Sequence, residues 1–120
     1  MTDTAFPITI FHNPACGTSR KTIELLRERG VEPVVVEYLK TGWTAPQLRD
    51  LLARMGATAH DILRVRGTKA EDLGLTDPAT PDERLIEAMV ADPALVNRPI
   101  VETPRGAALC RPQETVLTLL

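Results

Sequence analysis

Hydrophobic residues recur along the chain with two different periods, and the changes of period mark the elements. Ile8 to His12 is a short apolar run that predicts a buried strand. From Thr18 to Arg29 the period lengthens to that of a helix, with Ile23 and Leu26 on its inner face and Gly30 as a stop. Val34, Val35 and Val36 are β-branched and predict a second strand. A strand, a helix and a strand within about 30 residues predict a βαβ unit, whose strands run parallel.

The next segment is helical. Thr44-Ala45-Pro46-Gln47 reads as a capping box with proline placed early, where its missing N–H costs nothing. Leu48, Leu51, Leu52 and Met55 follow on one stripe, and Gly56 ends it. A short helix is expected from Ala59 to Val65, then irregular chain from Gly67 to Pro78. Thr80-Pro81-Asp82-Glu83 reads as a second capping box before Leu85, Ile86, Met89 and Val90, closed by Asp92-Pro93. Two short strands, Ile100 to Thr103 and Ala107 to Cys110, flank a Pro104-Arg105-Gly106 turn as a hairpin. Arg111-Pro112 opens a last helix with Val116, Leu117 and Leu120 inward. The order β-α-β, helices, β-β-α is that of an α/β, thioredoxin-like fold with a mixed sheet. Its helical insertion, residues 44–97, separates the two halves. No repeat, low-complexity tract or linker interrupts the pattern, so residues 1–120 read as a single domain.

Composition removes several function classes. Hydrophobic residues make up 43% and aromatic residues 3%, so the core is built from Leu, Ile, Val and Ala and needs no metal or disulfide staple. Fourteen basic residues against 16 acidic ones leave a net charge of −2, which argues against a nucleic-acid or membrane-surface binder. No apolar run approaches the roughly 18 residues of a transmembrane helix. Met1-Thr2-Asp3-Thr4 lacks the basic start and apolar stretch of a signal peptide. Two distant cysteines without a secretion signal imply a reducing, cytoplasmic setting. Two cysteines and two scattered histidines do not make a zinc site.

Chemistry concentrates at Cys16, in the stretch His12-Asn13-Pro14-Ala15-Cys16-Gly17-Thr18-Ser19-Arg20 between the first strand and helix. A cysteine at a helix start meets unpaired backbone N–H groups and the positive end of the macrodipole, and both favour thiolate. The alternative for such a cysteine is a small core residue. Ser19 stands where a Cys-x-x-Cys oxidoreductase has its second thiol, so Cys16 can attack but an external thiol must finish the reaction. The Cys-x5-Arg loop of a phosphatase is also absent, because Thr22 occupies its arginine position. Positive charge for an anion must come from elsewhere. Arg98 precedes Pro99 and the third strand, Arg111 follows the hairpin, and Arg64 ends the short inserted helix. Guanidinium groups bind tetrahedral oxyanions through paired donors, although each of these arginines also reads as a solvated surface residue. His12 reads either as a buried structural histidine or as a residue that tunes the thiol. Cys110 reads as structural. The Arg98–Pro99 bond is expected to be cis, facing the cysteine.

The stretch from His12 to Arg20, Asn97-Arg98-Pro99-Ile100-Val101 and Leu109-Cys110-Arg111-Pro112 resemble the glutaredoxin-dependent arsenate reductases. Leu63-Arg64 followed by Glu71-Asp72-Leu73-Gly74-Leu75 adds to the likeness, which runs from about Ile8 to Leu120. The resemblance implies Cys16 as nucleophile, Arg64, Arg98 and Arg111 as oxyanion ligands, and His12 and Ser19 as residues that favour the thiolate. It implies arsenate as substrate, glutathione as co-substrate, glutaredoxin as partner, no bound cofactor and a monomer. The loop from Val65 to Lys69 departs from the family pattern. Leu120 falls where some relatives continue with a further tail. Two rival readings remain at this level: a thiol-sensing regulator that binds RNA polymerase, and a glutathione-linked reductase of another substrate.

Overall fold

The computed structural model describes residues 7–120, so the reading of Met1-Thr2-Asp3-Thr4 lies outside the described residues. The chain divides into two compact units, one made of residues 7–38 with Arg98–Leu120 and the other of Leu39–Asn97.

The first unit holds a four-stranded sheet in the order β2-β1-β3-β4. Strand β1 (Thr9–His12) pairs parallel with β2 (Val34–Glu37) and antiparallel with β3 (Ile100–Thr103), which pairs antiparallel with β4 (Gly106–Leu109). This is the mixed thioredoxin-like sheet that the element order predicts. Helix α1 (Gly17–Glu28) connects β1 to β2. Ile10 and Val101, partners across β1 and β3, share a core with Ile23 and Leu26 of α1 and with Val116 and Leu119. Strand β2 lies at the sheet edge, which leaves Val34 and Val35 exposed despite their β-branched character. The hairpin turn is tighter than predicted. Thr103 pairs directly with Gly106, whose φ of 144° suits a residue without a Cβ.

The closing segment Gln113–Leu119 is a 3-10 helix rather than an α-helix, and it buries Val116 and Leu119. Leu117 and Leu120, expected inward, pack only at the margin of the core. Thr103 Oγ1 donates to the Leu119 carbonyl at 2.8 Å and so ties this segment to β3.

The second unit is helical. After the single turn α2 (Tyr38–Thr41), helix α3 (Ala45–Met55) starts at the predicted capping box, with Gln47 N–H donating to Thr44 Oγ1 at 3.2 Å. It ends at Gly56 in the left-handed conformation, φ 64°. The short helix after it is a 3-10 turn confined to Ala59–Ile62. Helix α4 (Asp82–Ala91) forms without the second capping box. Thr80 Oγ1 donates to the Gly74 carbonyl instead, and an Asp82 carboxylate oxygen accepts the Ala59 N–H at 3.1 Å. These side chains hold separate segments together rather than cap their own helix. Leu85, Ile86 and Met89 are buried as predicted, whereas Val90 is exposed. Among the described residues, no helix is long and apolar enough to cross a membrane.

Candidate active site

Strand β1 ends at His12, and four residues carry the chain from there into α1. Asn13 organises that turn. Its Oδ1 accepts the Ala15 N–H at 2.9 Å and its carbonyl accepts the Cys16 N–H at 3.0 Å. An asparagine before proline suits such a turn, because the amide side chain mimics a backbone acceptor. Arg20, one turn into the helix, donates from Nη1 to the Pro14 carbonyl at 2.8 Å and closes the loop from the other side. The outcome is that Cys16 is the N-cap of α1, with extended backbone at φ −94° and ψ 121°.

The Cys16 side chain is 92% withdrawn from solvent, with 8% exposure. Burial alone would push its pKa up. It is outweighed by the backbone N–H of Ser19 and by the Arg98 and Arg111 guanidinium groups, which bring the thiol down to about 7. Arg111 Nη1 lies 3.6 Å from Sγ and also donates to the Arg98 carbonyl at 3.0 Å.

Strand pairing explains why two arginines so distant in sequence meet one sulfur. Ile100 pairs with Leu109, and the Cys110 N–H donates to the Pro99 carbonyl at 2.9 Å, continuing the antiparallel ladder by one step. Arg98 and Arg111 follow one residue further along the two arms, where Arg111 reaches the Arg98 carbonyl at the sheet end from which α1 starts. The Arg98–Pro99 bond is cis, as expected from the sequence, and so is Arg111–Pro112, for which the sequence reading made no prediction.

His12 and Ser19 join the same cluster. His12 Nδ1 and Ser19 Oγ lie 2.5 Å apart, and Ser19 Oγ accepts the Asn13 N–H at 3.2 Å. Burial holds His12 below its ordinary pKa; Glu37 acts to raise it and Arg20 to lower it. A neutral imidazole accepts at Nδ1 the hydroxyl proton that Ser19 has left to donate. Both side chains are buried.

Arg64 belongs to the second unit. A bridge between Leu63 and Val96 fixes its backbone, and its own N–H donates to the Leu95 carbonyl at 2.7 Å. Its guanidinium donates to Asn97 Oδ1 at 3.4 Å and to the Arg66 carbonyl at 3.2 Å. The first unit therefore brings together His12, Cys16, Ser19, Arg98 and Arg111, and the second unit carries Arg64.

Two contributors were missing from the candidate residues. Asn13 was visible only as a member of the motif, although an Asn-Pro pair between strand and helix is a usable turn signal. Arg20 likewise stands in the motif without a role of its own, and in the structure it clamps the turn. Cys110 is fully buried in the core of the first unit, and burial pushes its thiol up to about 12.

A buried, partly ionised thiol at a helix start, faced by two guanidinium groups, is equipped to attack an electrophilic oxyanion centre. Similarity to known proteins agrees with that chemistry. The profile of the ArsC family matches residues 11–119. An arsenate reductase of Rhizobium meliloti (strain 1021) is 49% identical over 113 residues, which span 94% of this chain and 81% of the relative. An arsenate reductase of Escherichia coli (strain K12) is 50% identical over 113 residues, 94% of this chain and 80% of the relative. The solved structure of an arsenate reductase from Vibrio cholerae superposes with a TM-score of 0.90 at 35% identity, covering 98% of this chain and 100% of that one. On this similarity of sequence and of fold, the chain belongs to the ArsC family.

Proposed function

We propose that the protein is an arsenate reductase that works through Cys16 and takes its electrons from glutathione and glutaredoxin. The observation that carries the reading is the Cys16 thiol itself, held at about 7 by the Ser19 N–H, Arg98 and Arg111 against the opposing effect of burial. A thiol lowered in this way is more readily ionised at neutral pH than an ordinary cysteine.

In this reading Arg98 and Arg111 hold HAsO4²⁻ and offset its repulsion from the thiolate. Cys16 Sγ attacks arsenic(V), an S–As bond forms, and an arsenate oxygen leaves as water after taking up a proton. Ser19 carries no thiol, so resolution requires an external one. The glutathione thiolate then attacks Cys16 Sγ. The S–As bond breaks with its electron pair on arsenic, which departs as arsenite. Cys16 is left in a mixed disulfide with glutathione, and glutaredoxin reduces it. His12 and Ser19 act beside the thiol, Ser19 through its backbone N–H and His12 through the Ser19 hydroxyl. The working unit in this reading is a monomer, and all of the redox chemistry is carried by thiols.

The test is NADPH consumption by purified protein with arsenate, glutathione, glutaredoxin and glutathione reductase, beside a Cys16→Ser control. Arsenate-dependent turnover that is lost in the control supports the reading. Absence of turnover with a demonstrably reduced thiol rejects it, and a repeat with thioredoxin in place of glutaredoxin separates the wrong substrate from the wrong reductant.

A further inference from the structure

His12 and Glu37 close the two parallel strands β1 and β2 and are direct register partners. Direct partners on neighbouring strands project to the same face of a sheet, with the strands about 4.8 Å apart. That face is the one covered by α1, because Ile10, two residues before His12, packs with Ile23 and Leu26. Glu37 thus stands one strand away from the imidazole that meets Ser19, on the side from which α1 supplies Ser19 and Cys16. It is half-buried, so solvent and salt screen its charge less than that of a surface carboxylate.

Taking His12 and Ser19 as partners of Cys16, as in the function proposed above, we infer that Glu37 is a positioning residue whose carboxylate keeps the His12–Ser19 pair able to take up a proton from solvent at the pH where Cys16 works. Loss of an oxygen from arsenate consumes a proton, and a buried imidazole without a compensating anion would hold one only in acid. The charged groups around His12 oppose one another. From β2, Glu37 favours the imidazolium; from α1, Arg20 disfavours it. Also at that end of the unit are the buried Tyr38 phenol next to Glu37, Cys16 at the helix start, Arg98 before β3 and Arg111 after β4. The two arginines act on the Cys16 sulfur, so removing Glu37 alters His12 first.

The experiment is an NMR titration of His12 in the full chain, which requires neither arsenate nor glutathione and so stands apart from the reductase reading. Glu37→Gln should move the His12 midpoint down by about half a pH unit to one unit, and Glu37→Asp should restore most of it. Arg20→Gln should move the midpoint the opposite way. The acid limb of arsenate turnover should shift with the His12 midpoint. A Glu37→Gln midpoint within about 0.2 unit of wild type overturns the proposal. A shifted midpoint without arsenate turnover in any variant would leave Glu37 in its role and reject the substrate instead.

Discussion

The start of α1 and the end of β4 each bury a cysteine within the same unit, and the two sulfurs meet different surroundings. Cys16 is 8% exposed and Cys110 is fully buried, so desolvation opposes the thiolate at both. At Cys110 the neighbouring side chains are aliphatic, Sγ donates to the Ala108 carbonyl at 3.6 Å, and the Val101 backbone N–H, which favours the thiolate, does not offset burial. Its thiol is pushed up to about 12. At Cys16 the helix-start N–H of Ser19 and two guanidinium groups supply donors, and the thiol falls to about 7. Burial does not make a cysteine inert or reactive. Whether the donors that accompany it outweigh desolvation decides the sign.

The hardest blow to that contrast is removal of the reactive sulfur. Cys16→Ser should abolish arsenate turnover, a loss of at least about a thousandfold, because a serine hydroxyl is not ionised at neutral pH. Its circular dichroism should match wild type, since the α1 turn is held by Asn13 and Arg20 rather than by the thiol.

Lysine at Arg98 or Arg111 keeps the charge and loses the paired donor geometry. Each variant should lose about tenfold to a hundredfold in kcat/KM for arsenate, the worth of one charge-assisted hydrogen bond. The alkylation midpoint of Cys16, expected near 7 in wild type, should rise in both, because donors to the thiolate have been weakened. A midpoint unchanged in both variants would detach the arginines from the thiol.

The opposite arm of the comparison is Cys110. Cys110→Ser should retain most of the activity and lower the unfolding free energy by about 1–2 kcal/mol, as a hydroxyl replaces a thiol in an apolar core. Denaturant titration measures the second part, and a catalytically dead but folded variant would mean a two-cysteine mechanism. The smallest effect expected is from phosphate. It matches arsenate in shape and charge and should compete for the arginines weakly; a KM for arsenate that is indifferent to high phosphate would count against the oxyanion site.

The sequence made some of this legible for local reasons. The Val34–Val36 run, the stripe of α3 and the Thr44–Gln47 box depend on neighbours in the chain, and each appears where its spacing predicts. Thr80 and Asp82 carry the same spacing, yet their side chains are taken up by Gly74 and Ala59, partners that only the fold supplies. The final segment misled in another way. Its apolar spacing suits either helix type, and anchoring at Leu119 and Leu120 by Thr103 and Arg105 accompanies the tighter 3-10 form. In the site, the helix-start position of Cys16 could be read from the change of hydrophobic period alone. The meeting of Arg98 and Arg111 could not, because it depends on the β3–β4 register and its continuation through Cys110 and Pro99. The clamp by Arg20 was hidden for the same reason, since a helical arginine has no local signal for a carbonyl behind it.

The most direct single measurement is mass spectrometry of the protein quenched during turnover with arsenate and glutathione, before glutaredoxin is added. The account predicts one glutathione per chain, on the peptide that contains Cys16, appearing only when arsenate is present. Glutathione on Cys110, or arsenite formed while Cys16 stays free of any adduct, would contradict it.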